Sequence, residues 1–151
     1  MAPRGFTLLE LMVTLAVLVI LITVGIPAFA DLVQNNRITA QTNELVSALN
    51  VARAEAVKRG RNVQVVVATQ ANGWSAAVSI VGGPAEPVRV IERADSVVTV
   101  TAGAVVFRPT GVPVAATEFG MQPASDCSGD KRRQVAITPS GQIRTTRQAC
   151  A

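Results

Sequence analysis

The chain has 151 residues and a net charge of +4, enough for one modest domain plus an anchor. It contains no histidine and no tyrosine, which excludes a hydrolytic triad with a histidine base and a zinc site built on imidazole. The charge is uneven: from Cys127 onward Lys131, Arg132, Arg133, Arg144 and Arg147 face the single acid Asp130, an excess that equals the net charge of the whole chain. A basic C-terminal patch points to an anionic partner.

In chain order, Arg4 comes first, and from Gly5 to Ala30 the only charged residue is Glu10. The uncharged stretch 11–30 is long and apolar enough to cross a bilayer as a helix. Arg4 is a positive-inside cue that holds the start in the cytoplasm, so everything after about residue 30 is expected across the membrane. An ionisable group among lipid tails costs about 2.5–3.5 kcal/mol on insertion scales and marks function. Glu10 is therefore the first candidate site residue.

The helical pattern continues beyond the apolar run. Ile38, Leu45, Leu49, Ala52 and Ala56 fall on one helix face, and Arg37, Glu44, Glu55 and Lys58 lie largely off it. Glu55 and Arg59 form an i,i+4 pair, and Gly60 is a natural stop after Lys58 and Arg59. These signals predict one helix over 6–59, about 80 Å long at 1.5 Å per residue. Pro27, softened further by Gly25, predicts a kink or local melting over 22–26.

After Gly60 the period becomes two. Strands are expected over 62–69, 74–81, 88–93, 97–101, 105–108, 134–138 and 142–146. Asn72-Gly73 signals a two-residue hairpin, and Pro109-Thr110-Gly111 and Pro139-Ser140-Gly141 mark turns. The expected fold is α+β, a long N-terminal helix with a membrane-embedded first half, packed on an antiparallel β-sheet domain. Cys127 and Cys150 suit a disulfide in an oxidising compartment, closing a loop worth roughly 3 kcal/mol.

The segment Arg4-Gly5-Phe6-Thr7-Leu8-Leu9-Glu10 resembles the processing site of the type IV prepilins. That resemblance implies removal of residues 1–5 by prepilin peptidase, methylation of the new amine on Phe6, and pairing of Glu10 with the terminal amine of an adjacent subunit. It also implies a division into leader 1–5, transmembrane and filament-core helix 6–30, amphipathic helix half 31–60, and periplasmic β-rich domain 61–151. Further on, the segments 52–61, 106–111 and 134–144 resemble minor pilins and pseudopilins of the FimT/GspH type. The implied partners are other pilins or pseudopilins, the inner-membrane assembly platform and inner-membrane lipid. The implied location is the inner membrane, and the pilus after assembly.

Some FimT-type pilins bind DNA through a C-terminal Gly-Arg-x-Arg loop. Gly141-Gln142-Ile143-Arg144 carries half of that motif, which makes Lys131, Arg132, Arg133, Arg144 and Arg147 candidate DNA contacts. No aromatic residue follows Cys127 to serve as a stacking platform. No nucleophile–base pair, phosphate loop or metal-ligand cluster is visible, so neither an enzyme nor a cofactor is expected. Three functions stay open: a minor pilin for pilus assembly, a pseudopilin of type II secretion, and a DNA-binding minor pilin for natural transformation.

Overall fold

The computed structural model describes residues 7–83, 87–93 and 97–150. They form one helix and eight strands: α1 (Leu8–Arg59), β1 (Val63–Gln70), β2 (Gly73–Ile80), β3 (Arg89–Arg93), β4 (Val98–Val100), β5 (Gly103–Phe107), β6 (Thr117–Pro123), β7 (Arg132–Ile137) and β8 (Ile143–Gln148). Two units divide the chain, 1–35 and 36–151.

In the first unit most side chains of α1 are exposed and apolar, Leu11, Val17, Leu18, Leu21 and Phe29 among them. The helix is long and apolar enough to cross a membrane. Its two hydroxyls turn inward on the backbone: Thr14 Oγ1 donates to the Leu11 carbonyl at 2.8 Å and Thr23 Oγ1 to the Ile20 carbonyl at 2.9 Å. No water is needed to satisfy either group. The helix also runs on through Pro27 without interruption. Local melting over 22–26, one of the two expected outcomes, does not occur.

In the second unit the last turns of α1 bury Ile38, Leu45, Leu49, Ala52 and Ala56, the stripe read from periodicity, together with Gln41, Thr42 and Ala48. The helix ends at Gly60, whose φ of 62° favours a residue without a side chain. Lys58 and Arg59 occupy the last turn, beside the negative end of the helix dipole. The Arg59 guanidinium pairs with Glu55 one turn earlier. That hydrogen bond, helped by the charges of Arg59 and Lys58 against partial desolvation, holds the Glu55 carboxyl below its ordinary value.

The strands form two antiparallel four-stranded sheets, ordered β3-β2-β1-β5 and β4-β6-β7-β8. Val98–Val100 lies between β3 and β5 in sequence but pairs with β6 instead, and this splits the strands into two groups. Alternation sets the core: Val63, Val65 and Val67 of β1, Trp74, Ala76 and Val78 of β2, Phe119 and Met121 of β6, and Val135 and Ile137 of β7 join the helix stripe in one cluster. Burying each larger side chain stabilises by about 1.5–3 kcal/mol. Thr69 Oγ1 donates to the Val100 carbonyl at 2.8 Å, tying the two sheets together.

Two local readings shift. The β1–β2 hairpin pairs Gln70 with Gly73, so its loop residues are Ala71 and Asn72, one position earlier than expected. Gly73 already belongs to the strand and takes a φ of 140°, which only glycine adopts readily. Strand β6 is new. Its Phe119 and Met121 alternate inward correctly, but Gly120 and Pro123 give the segment the look of a loop.

Candidate functional site

The N-terminal site begins with a cap. Thr7 precedes the first turn of α1, and its Oγ1 accepts a hydrogen bond from the Glu10 amide at 3.2 Å. Thr7-Leu8-Leu9-Glu10 thus has the spacing of a capping box, a signal present in the sequence but not drawn from it. The cap fixes where the helix starts and so places Glu10 in its first turn, where the helix dipole favours a negative charge. The Glu10 residue is exposed. Gly5 and Phe6, the expected cleavage and methylation sites, lie outside the described residues.

A second cluster forms where two turns meet α1. Arg108–Val112 and Thr138–Gln142 are the same device. In each, the first residue's amide donates to the carbonyl four positions on, at 2.9 Å, and the glycine amide donates back to the first carbonyl at 2.8 Å. Each carries Pro, then Thr or Ser, then Gly, with φ of 78° at Gly111 and 81° at Gly141. Proline presets the first corner and glycine supplies the left-handed one.

The two glycines pack against each other. A Cβ on Gly141 would lie 2.6 Å from the Gly111 carbonyl oxygen, and one on Gly111 would lie 3.1 Å from Val57 Cγ2 and 3.3 Å from Arg53 Nε. Arg53 Nη1 closes the junction by donating to the Gly141 carbonyl at 3.0 Å. The three segments 52–61, 106–111 and 134–144, far apart in sequence, therefore converge on Arg53, Gly111 and Gly141. Gly141 has a structural reason to be glycine that is independent of any DNA contact.

The five candidate DNA contacts do not form one surface. Lys131 and Arg133 are only 7% and 4% exposed. Arg133 stands opposite Arg147 in the β7–β8 ladder, whereas Arg144 stands opposite Ala136. Strand pleating puts Arg144 and Arg147 on opposite faces of β8, and Arg132 and Arg133 on opposite faces of β7. Arg133 Nη1 donates to the Asp130 carbonyl at 2.9 Å. Burial, followed by the neighbouring charge of Arg147, pushes the Arg133 guanidinium below its ordinary value, with Asp130 acting in the opposite direction. The exposed cations are Arg144, whose Nε donates to Gln142 Oε1 at 3.0 Å, and Arg147.

Cys127 and Cys150 form the expected disulfide, with Cα atoms 5.6 Å apart. The Cys150 amide donates to the Gly129 carbonyl at 3.0 Å beside it, fastening the end of β8 to the segment that leads into β7.

Comparison with known proteins follows the same division. Residues 41–141 match the family described as type II transport protein GspH, and residues 1–26 match the prokaryotic N-terminal methylation motif. The chain belongs to the GspH family, within the type IV pilin superfamily. The GspH match takes in Arg53, Gly111 and Gly141, and the methylation motif takes in Gly5, Phe6, Glu10 and most of the apolar run. The fold is that of the type IV minor pilin FimU of Pseudomonas aeruginosa. One crystal form superposes with a TM-score of 0.61 over 74% of this chain and 89% of that one, a second with 0.55 over 72% and 91%, both at 20% identity. Two fimbrial proteins of the same organism are each 37% identical over 62 residues, which is 41% of this chain. The chain spans 40% of the length of these curated relatives. Among the described residues of this GspH-family chain, no group of three or more cysteine, aspartate or glutamate residues is placed to hold a metal ion.

Proposed function

We propose that this chain is a minor subunit of a type IV pilus whose role is assembly rather than catalysis. In this reading prepilin peptidase removes residues 1–5 and the amine of Phe6 is methylated. The helix over 6–30 holds the subunit in the inner membrane, with the β-rich domain in the periplasm, until an assembly platform draws it into the filament, near the tip. Glu10 then pairs with the Phe6 amine of a neighbouring subunit. An unpaired carboxylate in hydrocarbon is costly, and a positive amine offsets that cost. The observation that carries the reading is the match of residues 1–26 to the methylation motif, with Glu10 capped into the first turn of an exposed apolar helix.

Glu10→Ala in the full chain tests it. Leader removal, read by mass spectrometry of the N-terminus, is expected to be unchanged, while the amount recovered in sheared filaments falls at least tenfold. Recovery equal to the parent would remove the pairing role.

A second reading is favoured by the name of the matching family: a pseudopilin of type II secretion. Deleting the gene separates the two, since a pilin deletion lowers surface filaments and a pseudopilin deletion leaves exported enzymes in the periplasm. DNA capture, the third reading, retains Arg144 and Arg147 as exposed contacts, and these two stand on opposite faces of β8.

A further inference from the structure

The outward face of the β4-β6-β7-β8 sheet carries a small polar pocket that the filament reading does not use. Thr99, Val100, Thr101, Gly120, Gln122 and Arg132 line a cavity of ≈ 260 Å³. The ladder explains why they meet. Thr99 stands opposite Gln122, and Gly120 opposite Gln134. Because Phe119 and Met121 point into the core, Gly120 and Gln122 point outward. Arg132 is outward on β7, since Arg133 is inward.

Gly120 makes the pocket. A Cβ there would meet Thr101 Oγ1 at 3.0 Å, Arg132 Nη2 at 3.1 Å and Arg132 Nε at 3.4 Å. Three hydrogen-bond donors thus lie close over a residue with no side chain. Two of them, Nε–H and Nη2–H, form the side edge of the guanidinium, the pair that engages both oxygens of a carboxylate at once. Arg132 Nε is buried and has no hydrogen-bond partner among the described residues. Buried donors are rarely left this way without a ligand or a functional reason. The carboxylate nearest along the same face is committed elsewhere, because Glu118 accepts from Gln134.

We propose that this pocket is a carboxylate-binding subsite. The guanidinium of Arg132, which lies over Gly120 with Nε covered, tilts off it so that its side edge donates to the two oxygens of one carboxylate, and the Thr101 hydroxyl supplies a third donor. Thr99 and Gln122 flank the group that bears it. The cavity admits the carboxylate and a few further heavy atoms, so the ligand is a small organic acid or an acidic group projecting from something larger.

The test uses the full chain in detergent micelles and follows the arginine Nε–H resonances by NMR. Acetate, glucuronate and N-acetylaspartate amide are titrated separately at constant ionic strength, with chloride and inorganic phosphate as comparisons. The proposal expects one resonance, missing from Arg132→Lys, to shift and saturate with carboxylates. Gly120→Ala sets a methyl group against the three donors; it meets the Thr101 hydroxyl and the end of the flexible Arg132 side chain rather than backbone, so the fold is expected to survive. Apparent affinity in Gly120→Ala should fall roughly tenfold or more. Thr101→Val, which removes the third donor, should show a smaller loss and replaces Gly120→Ala if that variant misfolds. Tighter saturation by glucuronate points to a sugar acid as the source, and by the aspartate amide to an acidic protein side chain. No saturable shift with any carboxylate, an equal response to chloride, tighter binding of phosphate, or unchanged titration in the variants would overturn the assignment.

Discussion

Gly141 shows how one residue can be misread when its neighbours are hidden. In sequence it heads a half-matched basic loop, and in the folded chain it is the contact point of two turns and a helix. The consequence is measurable. Gly60 and Gly141 both take positive φ, at 62° and 81°, but Gly60 has open space around its Cα whereas Gly141 faces the Gly111 carbonyl oxygen. Replacing Gly60 with alanine should cost about 1 kcal/mol, the strain of a left-handed L-residue alone. The same change at Gly141 adds a collision with backbone that cannot move without opening the junction, and should cost about 3 kcal/mol or more. Denaturant unfolding of both variants checks the difference, and equal losses would mean that the glycine–glycine contact contributes nothing. Glu10 and the stripe from Ile38 to Ala56 were legible because charge and periodicity are local properties. The Arg53–Gly141 bond was not, because no local pattern marks a pair of residues 88 positions apart.

Among the elements, the helix and most strands follow from period and turn chemistry, while the partition of strands does not. Alternation gives each strand an inward face but does not name its neighbour, so β4 leaving for the second sheet is set by packing rather than by its own three residues. The same limit explains the basic residues. Counting charge after Cys127 suggested one patch, but strand pleating distributes it over two faces. The buried side of α1 carries a further element-scale feature, a polar pair inside the core. Trp74 Nε1 donates to Gln41 Oε1 at 2.7 Å, both residues buried, joining the helix to β2. Glu44 engages Arg93 from the same helix and holds the edge strand β3, with Arg93 Nε 2.7 Å from Glu44 Oε2. Gln41→Ala leaves a buried indole N–H without its acceptor and should cost about 1–3 kcal/mol. Adding Trp74→Phe removes that orphaned donor. The double variant should then lose less than the sum of the two single losses, a coupling of at least about 0.5 kcal/mol. Additive losses would show that the hydrogen bond is not what sets the helix on β2.

At the scale of the whole molecule, the question is what holds the last strand. β8 lies at the edge of its sheet, most of its residues are exposed, and it pairs on one side only, with β7. Such a strand frays easily, since few buried contacts oppose its opening. The disulfide counters this from beyond its end, because Cys150 follows Gln148 closely and is bonded back to Cys127. Removing the bond, by reductant or by Cys127→Ser with Cys150→Ser, releases a loop that chain-entropy reasoning values at about 3 kcal/mol. The loss should be uneven. Amides of β8 should exchange much faster in the reduced chain, with those of β7 following in part. β1 and β2 carry core residues and lie inside the other sheet, so their amides should keep most of their protection. Hydrogen exchange before and after reduction reads this directly. Uniform loss across both sheets would mean that the domain opens only as a whole and that the disulfide acts on the unfolded chain alone. Confined loss would show that it guards the free edge, where an exposed strand otherwise invites unwanted pairing with another chain.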